Sequence, residues 1–254
     1  HERLMNNLSS KLDSLRQMQS DYTGYYSGVR AVMKNAGRLT GIDGTIADLI
    51  EVPIDFQVAI DQALGASMQH IVVYDDTAAR SAINYLKQNR AGRATFLPRT
   101  NIKGRFLNQN YLQIAQQHSG YIGLASELVR YDKQNQAIIQ NLLGTTLIMS
   151  SIEAAQSLAR QLNFQVKIVT LAGEVLLAGG SISGGESKQK NHSMLSRQIE
   201  LKAVEEQHQN ALATQKQYET QLRTIEENFT ELEQKLEQLN HTLNQAQQDL
   251  RASE

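Results

Sequence analysis

The sequence predicts a two-lobed α/β (α+β) globular domain flanked by an antiparallel intramolecular coiled coil. Three observations predict it. Both ends carry a 3.5-residue apolar repeat, the middle alternates helix and strand patterns in an order that recurs, and a bare segment, Gly179-Gly180-Ser181-Ile182-Ser183-Gly184-Gly185, joins the middle to the second end. Both prolines, Pro53 and Pro98, fall in the middle, so neither end contains a helix breaker.

At the start, Met5, Leu8, Leu12, Leu15, Gln19, Tyr22 and Tyr26 alternate steps of three and four, a heptad seam with one polar interruption. At the far end Leu201, Val204, His208, Ala211, Gln215, Tyr218, Leu222, Ile225, Phe229, Leu232, Leu236, Leu239, Leu243, Ala246 and Leu250 keep the alternation without a slip. That run amounts to roughly 75 Å of helix at 1.5 Å per residue. A lone surface helix drifts about 20° per heptad from such a repeat, so the seam needs a partner helix. The other end of the same chain supplies one if the middle acts as the turn. His208 and Gln215 then set register on the seam rather than bind ligands. The arms are unequal and the chain begins at His1, which reads as a fragment of a longer molecule.

Between the arms, Gly28 to Lys34 reads as a short helix and Gly44 to Val52 as an extended run. Pro53 to Leu64 is a helix with proline in its first turn, stopped by Gly65. Ile71 to Tyr74 is a strand, Thr77 to Asn89 a helix with Ala79, Ile83 and Leu86 on one face, and Ala94 to Leu97 a strand. The order then returns: helix Gln134 to Leu143 stopped by Gly144, strand Thr146 to Met149, helix Ile152 to Leu162, strand Val166 to Leu171. Ala63-Leu64-Gly65 matches Leu142-Leu143-Gly144, and Ala78-Ala79 matches Ala154-Ala155, as in a duplicated unit. A last apolar run, Glu174 to Ala178, leads into the glycines. The domains follow as 1–26 (first arm), 27–103 (lobe I), 104–187 (lobe II with the glycine segment) and 188–254 (junction and second arm).

Composition bounds the function. The 254 residues carry a formal net charge of -1, so nothing global points to nucleic acid or a membrane surface. The absence of cysteine rules out a disulfide framework or thiolate metal site and fits a reducing, cytoplasmic compartment. No signal-peptide pattern and no apolar run of about 18 residues is present, so no membrane partner is expected. The six histidines are scattered, which leaves a metal site without support. No catalytic residue stands out: the phosphate-loop, dinucleotide and nucleophile-elbow patterns are missing, and Asp75-Asp76 reads as the cap of the helix behind it.

Two features remain. Glycine pairs separated by small residues suit an anion loop, a flexible linker or a close backbone interface. Behind them Lys188 and Lys190, with Arg197 and Lys202 beyond, face only Glu200 after Glu186, and Arg30 and Lys34 come close if the arms pair. Such a junction is either a solvated collar, which composition alone favours, or a sequence-independent contact to nucleic-acid phosphates with steep salt dependence. No aromatic residues interleave the lysines, so base stacking is not expected there.

Taken in order, GVRAVM at Gly28–Met33, ALGASMQHIVV at Ala63–Val73, GRATFLP at Gly92–Pro98, NLLGTTLI at Asn141–Ile148, VTLAGEVLLAGGSISGG at Val169–Gly185 and SRQIEL at Ser196–Leu201 resemble the hinge region of bacterial structural maintenance of chromosomes (SMC) proteins. The resemblance covers essentially the whole chain. It implies a two-fold homodimer with strand edges of one lobe against the other lobe of the partner, and with Gly179, Gly180, Ser181, Ser183, Gly184 and Gly185 at the contact. It implies weak, salt-dependent DNA binding through the stretch behind the glycines, here Lys188 and Lys190, to which the charge reading adds Arg197, Lys202, Arg30 and Lys34. In similar hinges the run after the glycines is lysine-rich; here Gln189 dilutes it. No cofactor is implied in this segment: ATP and Mg belong to head domains at the far ends of the arms, where kleisin-type subunits also bind. The implied setting is the nucleoid, and the implied role is joining two arms for chromosome organisation.

Overall fold

The computed structural model describes residues 2–185 and 193–253, in two compact units. One unit, Ser14–Leu201, holds every strand among the described residues. Its first repeat begins with β1 (Ile42–Thr45), followed by a single helical turn, α3 (Ile46–Leu49), and β2 (Ile50–Glu51). It continues with a 3-10 turn at Ile54–Phe56, α4 (Gln57–Leu64), β3 (Ile71–Val73), α5 (Asp76–Gln88) and β4 (Phe96–Pro98). The second repeat places the same elements in the same order. These are β5 (Tyr121–Leu124), a 3-10 turn at Ala125–Glu127, β6 (Arg130–Tyr131), a 3-10 turn at Lys133–Asn135, α7 (Gln136–Leu143), β7 (Thr146–Met149), α8 (Ile152–Gln161) and β8 (Lys167–Thr170). Helices α2 (Ser27–Lys34) and α6 (Gln109–Gln116) precede the two repeats.

The duplication extends to register. A spacing of 79 residues separates Gly41 from Gly120, Gly44 from Gly123 and Gly65 from Gly144. In each repeat the first strand runs antiparallel to the third, β1 to β3 and β5 to β7, and shifts register between the same two positions, Ile42/Gly44 and Tyr121/Gly123. The third strand is parallel to the fourth in both, β3 to β4 and β7 to β8, with the crossover helix between them. Both crossover helices start on the same cap: the Asp75 carboxylate accepts from the Ala78 N–H at 2.9 Å, and Ser151 Oγ from the Ala154 N–H at 3.3 Å.

The repeats meet along an internal pseudo-two-fold. There β2 pairs with β6, Glu51 opposite Arg130, and α4 packs on α7. Ile46 and Ile60 from one repeat and Ile138, Ile139 and Leu143 from the other share one cluster at 0% exposure. Burying each such side chain contributes about 1.5–3 kcal/mol.

Four local expectations change. The first heptad seam does not run to Tyr26: the first helix ends at Ser20, and Tyr22 and Tyr26 stand in the turn beyond it. Gly44 to Val52 is not one extended run, because Thr45 and Asp48 form a reciprocal capping box that winds Ile46–Leu49 into a helical turn. Proline does not open α4: Pro53 caps the 3-10 turn in front of it. On α5 the buried face is Ala78, Ala79, Ala82 and Leu86, while Ile83 is 39% exposed.

The other unit combines residues 1–13 with 202–254, parts of α1 (Glu2–Ser20) and α9 (Met194–Ser253, 60 residues). Leu12, Val204 and Ala211 are buried in it, as two facing seams require. Farther along α9 the seam residues from Leu222 to Leu243 are 56–71% exposed. Within Ser14–Leu201, Leu15 and Met18 of α1 line one small cavity with Met194 and Leu201 of α9. The end of the first helix thus lies beside the start of the last.

Candidate interaction surfaces

Lobe II extends its sheet where lobe I stops. After β8 come β9 (Val175–Leu176) and β10 (Ile182–Ser183), giving the strand order β10-β9-β8-β7-β5, against β1-β3-β4 in lobe I. Strand β10 is the return limb of a hairpin, Ile182 opposite Leu176 and Ser183 opposite Val175. The glycine segment therefore contains both a turn and a strand. Gly179 and Gly180 both have positive φ, +94° and +93°, which L side chains rarely adopt. The Gly179 N–H donates to the Phe164 carbonyl at 2.8 Å and the Gly180 N–H to the Leu177 carbonyl at 3.0 Å. Those two donors are engaged inside the protein and do not converge on an anion.

Alternation fixes which groups face outward. The Leu177 N–H donates to the Ser181 carbonyl at 2.9 Å, so Ser181 and Ser183 point their backbones at β9 and Ile182 points its N–H and carbonyl away from it. Among the described residues no strand pairs with that outer side of β10. Ser181, Ser183, Gly184 and Gly185 are exposed and Gly180 is half-buried; nothing lies within 4 Å of where a Cβ on Gly179 or Gly185 would sit. Beside the strip, Phe164, Leu177 and Ile182 are 38%, 43% and 50% exposed. This edge combines unpaired backbone with apolar side chains. The lobe I counterpart of β8 is β4, also an edge. The Thr95 carbonyl accepts from Ile71 and the Arg99 N–H donates to Val73, which leaves Phe96 with its backbone facing outward.

The predicted cationic junction falls only partly within the described residues. Lys188 and Lys190 lie outside the described residues. Lys202 is exposed on α9 in the unit formed by the two arms. The other three converge on one turn, Asp21–Tyr25, a grouping their sequence spacing did not suggest. Lys34 Nζ is 2.9 Å from the Asp21 carboxylate, Arg30 donates to the Tyr25 carbonyl at 3.3 Å, and Arg197 donates to the Thr23 carbonyl at 2.5 Å. These cations fasten the turn that leads from the first helix into lobe I.

That turn is the feature the sequence reading missed. Tyr22 and Tyr25 stack edge to face at 5.3 Å, and the Tyr26 N–H donates to Gln69 Oε1 at 2.7 Å. Burial, with the Asp48 carboxylate nearby, pushes the Tyr25 hydroxyl up to about 12. On lobe I the half-buried Asp61 is raised by burial, partly offset by a hydrogen bond from Ser193. Lys167 of β8 is lowered by burial, and its ammonium donates to the Ala63 carbonyl near the end of α4 at 2.7 Å. Its available signal was a lone lysine opening an apolar strand. Among the described residues no cluster of three or more acidic, histidine or cysteine side chains could hold a metal ion. No described helix is long and apolar enough to cross a membrane.

Comparison with known proteins supplies the family context. Residues 39–159 match the family model described as the SMC proteins flexible hinge domain. The chain is 43% identical over 234 residues to the chromosome partition protein Smc of Bacillus subtilis, and 34% identical over 258 residues to that of Lactiplantibacillus plantarum. These alignments cover 92% and 99% of the chain but 18% and 22% of the relatives, so it spans about a fifth of their length. Among solved structures it is similar to an asymmetric dimer of the Geobacillus stearothermophilus SMC hinge domain, with TM-score 0.77, 40% identity, and coverage of 84% of this chain and 85% of that one. It is also similar to the Pyrococcus furiosus SMC hinge domain, with TM-score 0.53, 31% identity, and coverage of 70% and 89%.

Proposed function

The chain belongs to the SMC hinge-domain family, and from that premise we propose that it joins two copies of its parent protein through the outer edge of β10. The observation that carries the proposal is the unequal pair of sheets. Lobe II ends in a bare, exposed strand with the Ile182 backbone groups turned outward, and lobe I ends in β4 with the Phe96 backbone groups turned outward. In a two-fold pair each β10 meets the partner's β4, so both open edges are used twice and closed. The solved hinge most similar in fold among those described above is a dimer, which supports the reading. Gly184 and Gly185 matter because side chains there would hold the two backbones apart.

The parent protein would use this joint in chromosome partition, the role in the name of its Smc relatives. ATP hydrolysis with Mg and kleisin-type subunits would belong to head domains beyond the arms, in a cytoplasmic, nucleoid-associated setting. DNA would be held weakly at the junction by Lys188 and Lys190, assisted by Lys202 and the cations around the Asp21–Tyr25 turn. Because Asp21 neutralises Lys34 and backbone carbonyls engage Arg30 and Arg197, the two lysines behind the glycines carry most of that contact.

Sedimentation of the chain with Gly184 and Gly185 both replaced by valine tests the joint. A monomer is expected where the parent chain is a dimer, and a persisting dimer moves the contact elsewhere. A salt titration on labelled duplex DNA tests the junction. Lys188→Glu with Lys190→Glu is expected to remove binding and flatten the slope against salt. Unchanged binding would reduce the junction to a solvated collar.

A further inference from the structure

The two crossover helices end on the same motif but carry different residues there. After α5 the Ala91 N–H donates to the Leu86 carbonyl at 3.1 Å, with Arg90 before it at φ +49°. After α8 the Phe164 N–H donates to the Ala159 carbonyl at 2.8 Å, with Asn163 before it at φ +50°. Ala91 is packed against the cluster inside lobe I. Phe164, its counterpart, packs against none of the three core clusters and is 38% exposed.

Phe164 itself has φ +53°, so two consecutive residues other than glycine stand in the left-handed region. A bulky side chain there costs energy and persists only where its surroundings fix it. Here the Gly179 N–H fixes it, by donating to the Phe164 carbonyl at 2.8 Å. The ring lies against the glycine turn: a Cβ on Gly180 would sit 3.6 Å from its Cδ1. Ile182, opposite Leu176, shares that residue's face of the sheet, and Leu176 is buried with Leu158 and Ala159 of α8. Phe164 and Ile182 therefore flank the open edge of β10 from the α8 side.

We propose that Phe164 is the aromatic anchor of the joint: its ring, with Ile182, seats against the partner copy on the side of β4 that carries Phe96. The inference rests on the β10–β4 pairing proposed above and names the side chain that holds it. Strand β10 runs parallel to β8, since each is antiparallel to β9. Antiparallel pairing with the partner's β4 then brings the partner's α5 to the side of α8, because parallel crossovers are right-handed. On that side of β4 stands Phe96, half-buried against the cluster that holds Ala82 and Leu86 of α5, whereas Leu97 is buried in the cluster with α4. Two aromatic rings brought together at a desolvated edge make an interface anchor. The strain and exposure of Phe164 thus serve the pair of chains and not the fold of one.

Phe164→Gly separates those two roles, because it removes the ring and leaves a residue at ease in the left-handed region. Sedimentation equilibrium of the whole chain should show the dimer dissociation constant raised about thirtyfold. Denaturant melts, at concentrations where both chains are monomeric, should show no loss of stability. A photo-cross-linking residue in place of Phe164, in dimers of one light and one isotope-labelled copy, should mark the other copy around Phe96. An unchanged dissociation constant would overturn the anchor, as would a destabilised monomer or cross-links confined to one chain. If the constant is unchanged while the chain with valine at Gly184 and Gly185 is monomeric, the anchor falls and the joint stands. A dimer that persists in the valine chain overturns the joint and the anchor together.

Discussion

Lobe I and lobe II are built from eight matching elements in one order, yet each finishes the plan differently. Lobe I stops its sheet at β4 and covers its face with the start of α9. Lobe II continues its sheet into the β9–β10 hairpin and leaves the matching face as a groove. The shared core of α4 and α7 makes the pair stable, while the additions at the rim make the two lobes unequal. A duplicated unit thus acquires distinct surfaces without changing its interior. Functions placed at the rim can differ between lobes, while substitutions in the core should affect both together.

The glycines that end α4 and α7 give the largest expected contrast. They occupy the same position in the repeat but are required for different reasons. Gly65 has φ +51° with open space around it, whereas a Cβ on Gly144 would lie 2.1 Å from the Arg105 carbonyl oxygen and 2.5 Å from that of Gln140. Gly144→Ala should cost about 2–3 kcal/mol, through backbone that must move. Gly65→Ala should cost about 1–2 kcal/mol, through conformation alone. Denaturant melts measure both, and equal costs would mean that the lobes tolerate change alike.

The caps should show the opposite pattern. Asp75→Ala and Ser151→Ala each remove one side-chain bond at the start of a crossover helix, and each should cost about 1 kcal/mol. A clear difference between them in the same melts would break the equivalence of the two helices.

The smallest effect is a pH dependence confined to lobe I. Burial lowers the pKa of His70 from 6.5, so the unfolded chain binds the proton more readily. Stability should be level above pH 6.5 and decline as pH falls from there through the lowered folded value. His70→Gln should flatten that part of the profile, and an unchanged slope would assign it to other groups.

Much of this was legible in the chain. Heptad spacing announced the helical ends, and the Ala-Leu-Gly and Leu-Leu-Gly runs announced the duplication, because short apolar elements with fixed stops leave a periodic trace. The capping role of Asp75 followed from its place before Thr77-Ala78. The reading of Gly44 to Val52 as extended failed because a reciprocal side-chain cap, Thr45 with Asp48, outweighed an apolar run. The exposure of Ile83 was hidden because α5 packs through its alanines, which carry a weak hydrophobic signal. The Asp21–Tyr25 turn, fastened by Lys34, Arg30 and Arg197, joins groups up to 174 residues apart that only the folded chain brings together. Gly179–Gly185 was legible as bare main chain, but its division into a turn and an edge strand was not.

Amide hydrogen exchange at Ile182, followed while the protein is diluted from dimer to monomer, tests the joint most directly. Its N–H has no acceptor across the outer side of β10 among the described residues, and in the proposed pair the partner's β4 supplies one. Slow exchange in the dimer that becomes fast on dilution is the predicted result. Fast exchange at every concentration, in a protein that remains dimeric, would contradict it.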